Sequence, residues 1–250
     1  MNLKKLLTII VIGIAIYSGN SLLLDRAYVV PIAIYHNIDG NSKKDGLSVS
    51  PESFERQMKF LRDYKYNVIS LESLMSLMNN KTRIPRNTIC VTFDDGSLNN
   101  YDVAYPILKK YDIPADIFIV VDFVGKDGYM TWLEIQEMCK NKMSIGSHSM
   151  THPFLQFMKD KDAVKKEIRD SKSIIESKLN EKIYVFAYPL GGFNEEVKKE
   201  VIDAGYIGAV GTNLPVGYSN NDRFVLPRLR ISKNCDNLLV FWFGYSKTEI

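Results

Sequence analysis

Short apolar runs alternate with amphipathic stretches along almost the whole chain. The runs at residues 29–35 (VVPIAIY), 89–93 (ICVTF) and 115–121 (ADIFIVV) are continuous, as expected of strands buried on both faces. Shorter runs at 67–70, 143–146, 183–188, 207–211 and 224–231 read as further strands. Between them the apolar residues recur at helical spacing. Ser50-Pro51 gives an N-cap and a proline at the first helical position. The helix that follows carries Phe54, Met58, Phe60 and Leu61 on its apolar face and should end near Tyr64. Helices are predicted over 71–78 and 101–110, and a capping box of Thr131 with Glu134 opens another that runs to about Asn141. Residues 162–179 predict a long charged helix with Val164, Ile168, Ile174 and Ile175 inward. Residues 195–204 predict one closed by Gly205, and residues 236–243 a last one. Residues 37–48 are mostly polar and read as a loop.

Strand and helix thus alternate about seven times with short connections and no internal repeat, an α/β pattern with a parallel sheet. Seven or eight such units predict a closed or partly closed barrel. The 250 residues fit one domain, over 25–250, behind a leader. That leader differs from everything after it: Lys4 and Lys5 precede an apolar run over 6–17, too short for a bilayer span unless Leu22 to Leu24 extend it. Residues 1–24 are therefore read as a signal peptide or an N-terminal membrane anchor, and the protein as exported. Composition is ordinary for a globular chain, 46% hydrophobic and 24% charged. The formal charge of +3 and the absence of a basic block argue against nucleic-acid binding. Cys90, Cys139 and Cys235 are odd in number and far apart, so neither a disulfide framework nor a zinc ribbon is expected.

The chemistry gathers at strand ends. Val91-Thr92-Phe93-Asp94-Asp95-Gly96 places two adjacent carboxylates where a strand stops, a costly arrangement unless a cation neutralises them. Ser147-His148-Ser149-Met150-Thr151-His152 follows another strand. His148 and His152 are four apart, which would aim both imidazoles one way if the segment turned helically. Residues 36, 94–95, 148–152 and 188–192 all follow strands, and in a β/α barrel those ends share the face on which sites are built. Two histidines and one carboxylate leave positions open on a metal, as catalytic zinc requires. Such a metal lowers the pKa of water, and the second aspartate could then act as general base. The same triad also suits non-haem iron. On the residues alone, His36 reads as a structural histidine.

Thr92-Phe93-Asp94-Asp95-Gly96 and His148-Ser149-Met150-Thr151-His152 together resemble the first two motifs of the polysaccharide deacetylases with a NodB-homology domain, carbohydrate esterase family 4. The resemblance continues through residues 104–111, 113–115 and 131–138 and covers roughly residues 30–245. It implies a distorted (β/α) barrel of about seven strands that hydrolyses the N-acetyl groups of an amino-sugar polymer. By position it makes Asp94 the catalytic base and Asp95, His148 and His152 the ligands of a divalent metal, zinc first, with cobalt, nickel or iron as alternatives.

The third motif departs from the wider family, because Phe186-Ala187-Tyr188-Pro189-Leu190-Gly191 has Ala187 for an arginine and Leu190 for an aromatic. Apart from Leu190, it resembles the branch that deacetylates poly-β-1,6-N-acetylglucosamine, the biofilm adhesin. In that branch a Tyr-His pair after the first strand, here Tyr35-His36, supplies the general acid. Leu226-Pro227-Arg228 resembles its Ile-Pro-Arg, which would let Arg228 orient Asp94. Tyr188, Pro189, Leu190 and Trp242 are the implied substrate contacts, while Trp132 leans to the core. The implied partner is an N-acetylglucosamine polysaccharide at the cell surface, met by a monomer that the leader could hold at the membrane. Peptidoglycan is the rival polymer, and a sugar-binding relative without turnover is the rival class.

Overall fold

The computed structural model describes residues 30–40, 46–212 and 222–232. The expected leader, the helix over 236–243, Cys235 and Trp242 lie outside the described residues.

The principal sheet is wholly parallel. Its strands are β1 (Ile32–Tyr35), β5 (Thr88–Phe93), β6 (Ala115–Ile119), β7 (Met143–Ser147), β8 (Val185–Ala187), β9 (Gly208–Val210) and β10 (Leu229–Arg230), in the order β10-β1-β5-β6-β7-β8-β9. A two-residue strand, β4 (Asn67–Val68), joins β5 off this path. Within the predicted loop over 37–48, β2 (Asn37–Ile38) pairs with β3 (Ser48–Val49). The curled sheet is a distorted (β/α) barrel, and its two edges meet through one segment. Leu226 bridges to Val210 of β9, and three residues later Leu229 pairs with Ala33 of β1. The strand predicted over 224–231 is broken here because Pro227 has no N–H to give a ladder.

Alternate residues of the strands serve two cores, as buried parallel strands require. Ile32, Cys90, Phe118, Ala187, Val210 and Leu226 face one another inside the curl, with Leu71, Leu74 and Met75 of the helix Leu71–Asn79 closing its base. Ala33, Val91, Ile117, Phe186 and Ala209 face the surrounding helices. The helix Pro51–Asp63 begins as predicted, with Ser53 N–H donating to the Ser50 hydroxyl. It sends Phe54 against Tyr35 and Phe93, whose own ring centroids are 5.3 Å apart. Such ring pairs add about 0.5–1.5 kcal/mol each beyond burial. This cluster fixes the ends of β1 and β5, one residue before His36 and Asp94. The Thr131 capping box also forms, and Trp132 is half-buried against the core.

Two predicted helices contain wider π-turns. Asn100–Ala104 precedes the α-helical Tyr105–Tyr111, where Pro106 lacks the N–H of a regular turn. The predicted helix over 162–179 is α-helical over Lys161–Lys165 and Ser171–Leu179, with a π-turn at Lys166–Asp170 between them.

Candidate active site

Asp94 and Asp95 follow directly on β5, and Asp95 and Gly96 turn the chain with φ of 71° and 76°. Glycine suits the second position twice over, since a Cβ there would also lie 3.0 Å from Ile119 Cδ1. Asp94 is buried and gripped by a fully buried Arg228. Arg228 Nη1 donates to Asp94 Oδ1 at 2.7 Å and Nη2 to Oδ2 at 2.6 Å. The same guanidinium donates through Nε to the Gly211 carbonyl at 2.9 Å and through Nη1 to the Thr92 hydroxyl at 3.2 Å. Burial works against the Asp94 charge, but the Arg228 charge and hydrogen bonds, with His148 nearby, hold its carboxyl at about 2.

Asp95 behaves in the opposite way. Burial, then the adjacent Asp94 charge, push it up to about 6. A carboxylate so disfavoured calls for a cation, and two imidazoles face it. Asp95 Oδ1 is 3.7 Å from His148 Nε2 and 3.6 Å from His152 Nε2. His148 Nδ1 lies 2.8 Å from the Ala187 carbonyl, which can only accept, so the proton sits on Nδ1 and Nε2 keeps its lone pair. Burial depresses His148 to about 4 and lowers His152 as well, so both rings are neutral at pH 7.

Ligand atoms of Asp95, His148 and His152 all lie within 4.8 Å of one another. Donors on a four-coordinate ion at about 2.0–2.2 Å sit roughly 3.3–3.6 Å apart, so this trio fits a divalent transition metal with small movements. One carboxylate oxygen and two neutral imidazole nitrogens also suit Zn2+, Co2+, Ni2+ or Fe2+ by donor chemistry.

The two histidines do not meet on a helical turn, as their spacing predicted. Residues 148–152 form neither helix nor strand, and Ser149 and His152 have φ of 70° and 64°. Glu167, from the π-turn, holds this loop. Its Oε2 accepts from the N–H groups of Met150 and Thr151, both at 2.9 Å, and its Oε1 accepts from the Thr151 hydroxyl at 2.7 Å. Glu167 is not among the residues that the sequence pattern turned inward on this helix. One signal was available: it falls on the stripe 164, 167, 168, 171, 175, whose other members are buried.

His36 follows β1 almost fully buried, and among the described residues its Nδ1 has no hydrogen-bond partner. Burial lowers its pKa, against the pull of Asp94 and then Asp95, so it lies within the field of both carboxylates. Asn100, also absent from the expected set, donates from its side chain to the His36 carbonyl at 2.8 Å. Of the expected substrate contacts, Tyr188 is fully buried, with its hydroxyl donating to the Phe224 carbonyl at 3.0 Å, and Pro189 is buried too. Neither side chain faces solvent. Leu190 does, at 47% exposure and a φ of 56°.

A family model described as polysaccharide deacetylase matches residues 81–209. The Bacillus subtilis protein YxkH is 31% identical over 204 residues, 81% of this chain and 71% of that one. A Staphylococcus aureus poly-beta-1,6-N-acetyl-D-glucosamine N-deacetylase is 26% identical over 216 residues, 81% of this chain and 74% of that one. Among solved structures, the Streptococcus pyogenes deacetylase PplD, in complex with acetate, is 30% identical. It superposes with a TM-score of 0.78 over 84% of this chain and 96% of its own. The barrel with its two strand-end motifs is therefore no isolated coincidence of turns, and this chain belongs to the polysaccharide deacetylase family of hydrolases.

Proposed function

We propose that this enzyme removes N-acetyl groups from an N-acetylglucosamine polymer at the cell surface, with poly-β-1,6-N-acetylglucosamine as the substrate. One observation carries the reading: Asp95 faces two neutral imidazoles while Asp94, beside it, is kept charged by Arg228. Asp95, His148 and His152 would hold a divalent metal, whose chemistry when bound would be Lewis acidity and a lowered pKa for water. Asp94 is the general base, accepting the proton of the attacking water, and Arg228 keeps it ionised and aimed. His36, which burial makes harder to protonate than a free imidazole, first takes up a proton beside the Asp94 and Asp95 carboxylates and then delivers it to the departing amine nitrogen. In the turn after β8, the N–H groups of Gly191 and Gly192 are committed to the Tyr188 and Pro189 carbonyls. The Leu190 N–H is assigned the developing oxyanion, a role that does not depend on its side chain. The products are a free amine on the sugar and acetate.

Two resemblances support the polymer. The Staphylococcus aureus relative carries this activity in its name, and the Tyr35-His36 and Leu226-Pro227-Arg228 pairs follow the same branch. Export through residues 1–24 belongs to the same reading. Among the described residues no helix is long and apolar enough to cross a membrane.

The test is acetate release from β-1,6-linked N-acetylglucosamine oligomers and from peptidoglycan, with and without a chelator. Release from the oligomers that stops on chelation and returns with Zn2+ or Co2+ is expected. Release from peptidoglycan alone would reassign the polymer. Undiminished release by Asp94→Asn would remove the proposed base.

A further inference from the structure

Both histidines of the site sit on a loop with no regular structure of its own, and one carboxylate holds it from behind. We infer that Glu167 is a positioning residue for the metal site, fixing residues 148–152 in the conformation that turns both imidazole Nε2 atoms toward Asp95. This rests on the metal-binding reading given above.

Among the described residues, every hydrogen bond that the Glu167 side chain accepts comes from this loop. Three donors converge on its two oxygens, two of them the successive N–H groups of Met150 and Thr151. Those residues lie between the left-handed Ser149 and His152, so holding their peptides fixes how far apart the two rings stand. The other fastenings are neutral, among them His148 N–H to the Ile119 carbonyl and His148 Nδ1 to the Ala187 carbonyl, both at 2.8 Å. His152 N–H donates to the Ser149 hydroxyl and Ser149 N–H to the Ser147 hydroxyl. The carbonyls of Ser149 and Met150 accept from Val121 and Asp122. Charge-assisted bonds are the stronger kind, so Glu167 is the principal restraint.

The helix around it is adapted to the task. A π-turn at Lys166–Asp170 interrupts an otherwise α-helical run, and such wide turns are rare and concentrated at functional sites. Glu167 and Ile168 within it both face inward. Ser171, one turn on, adds a second link, because its hydroxyl lies 2.7 Å from that of Ser147 at the foot of the loop. A helix face that would ordinarily carry only apolar side chains thus holds the backbone between the site's two ring ligands.

Titration with Co2+, followed by visible absorption, separates this role from general stabilisation. Glu167→Ala should weaken Co2+ binding about 10- to 100-fold, the usual effect of losing a partner behind the ligands, and alter the absorption bands. Glu167→Gln keeps an oxygen for the two N–H groups, and the Thr151 hydroxyl can turn to accept from the amide. It should bind within about threefold of the parent. Ile175→Ala, buried on the same helix, is the control and should lower the melting temperature without changing affinity or spectrum. Should Glu167→Ala fail to fold, Thr151→Val removes one of the three bonds and should weaken binding by about threefold or more. Parent-like affinity and spectrum in Glu167→Ala, or in Thr151→Val if it stands in, would overturn the inference while leaving the metal site intact. So would an equal loss in Ile175→Ala. A parent protein that takes up no Co2+ would overturn the metal reading and this inference together.

Discussion

Replacing Arg228 by methionine tests the central electrostatic argument. The side chain is fully buried and donates to both oxygens of a buried Asp94. Methionine fills similar space but leaves a carboxylate with no counterion, and breaking a buried pair in this way costs about 3–5 kcal/mol. The Gly211 carbonyl and the Thr92 hydroxyl lose a donor too, for about 1 kcal/mol more. An independent bound comes from protonation. In the parent, Asp94 is held at about 2 against an ordinary 3.8, so it contributes stability above pH 4 that is lost as pH falls toward 2. In the variant, burial acts against only the weaker pull of His148 and His36 and raises the pKa. Neutralising the group at pH 7 from an unfolded value of 3.8 costs about three units, or roughly 4 kcal/mol. Both routes give a loss of about 4–6 kcal/mol at pH 7, out of a typical 5–15 for a domain. That corresponds to a fall of about 10–20 °C in Tm. The deficit should shrink to about 1–2 kcal/mol near pH 4, where the folded variant's Asp94 is protonated and neutralising it from an unfolded value of 3.8 costs only about half a kcal/mol. Thermal and urea unfolding of the metal-free protein at both pH values measures it. Asp94→Asn added to Arg228→Met should recover at least about 1 kcal/mol, because no stranded charge remains. A deficit that does not vary with pH, or a double variant equal to the sum of the singles, would refute the reasoning.

Asp116 offers a second pH test away from the proposed metal. It accepts from the Leu71 N–H at the base of the barrel, and burial pushes it up to about 7. With a raised folded pKa, its favourable contribution is present below pH 4 and lost as pH rises through 7, at most about 4 kcal/mol. Asp116→Asn should flatten that part of the stability profile in urea unfolding and leave the variant more stable than the parent at pH 8. Gly191→Ala should destabilise by about 2 kcal/mol or more, since a Cβ would lie 2.0 Å from Thr212 Oγ1 at a φ of 72°; its Tm is the readout. Asp94→Asn should cut acetate release about 100- to 10,000-fold while Co2+ still binds at one ion per chain.

The strand pattern was legible because strands buried on both faces leave continuous apolar runs, and β1, β5 and β6 stand where such runs predicted them. Helix starts were equally readable, since Ser50 and Thr131 cap locally whatever the rest of the fold does. Less legible was anything set by contacts distant in sequence. The π-turn at Lys166–Asp170 leaves no local mark, and Glu167 looks like one more charge on a charged helix. The gathering of Asp94, Asp95, His148 and His152 follows from strand ends sharing one face. The loop geometry between the histidines does not, because it depends on left-handed residues held by that remote carboxylate. Arg228 was visible only through the family resemblance: a lone arginine after a proline has no local reason to be buried. That Tyr188, just past β8, turns its ring inward and bonds the Phe224 carbonyl was not legible either, because it depends on packing from a distant segment.

The segment that joins the two edges of the curl has a consequence for the order in which the molecule matures. Residues 226–230 bring the last stave and the counterion of Asp94 in one stroke, 134 positions after the aspartate has been made. During synthesis, at about 5–20 residues per second, the earlier strands can assemble while that carboxylate still lacks its guanidinium. A ribosome-bound chain arrested before Arg228 should therefore hold a nearly complete sheet with an unready Asp94. Among the described residues, completing the ring and giving Asp94 its guanidinium are one folding event.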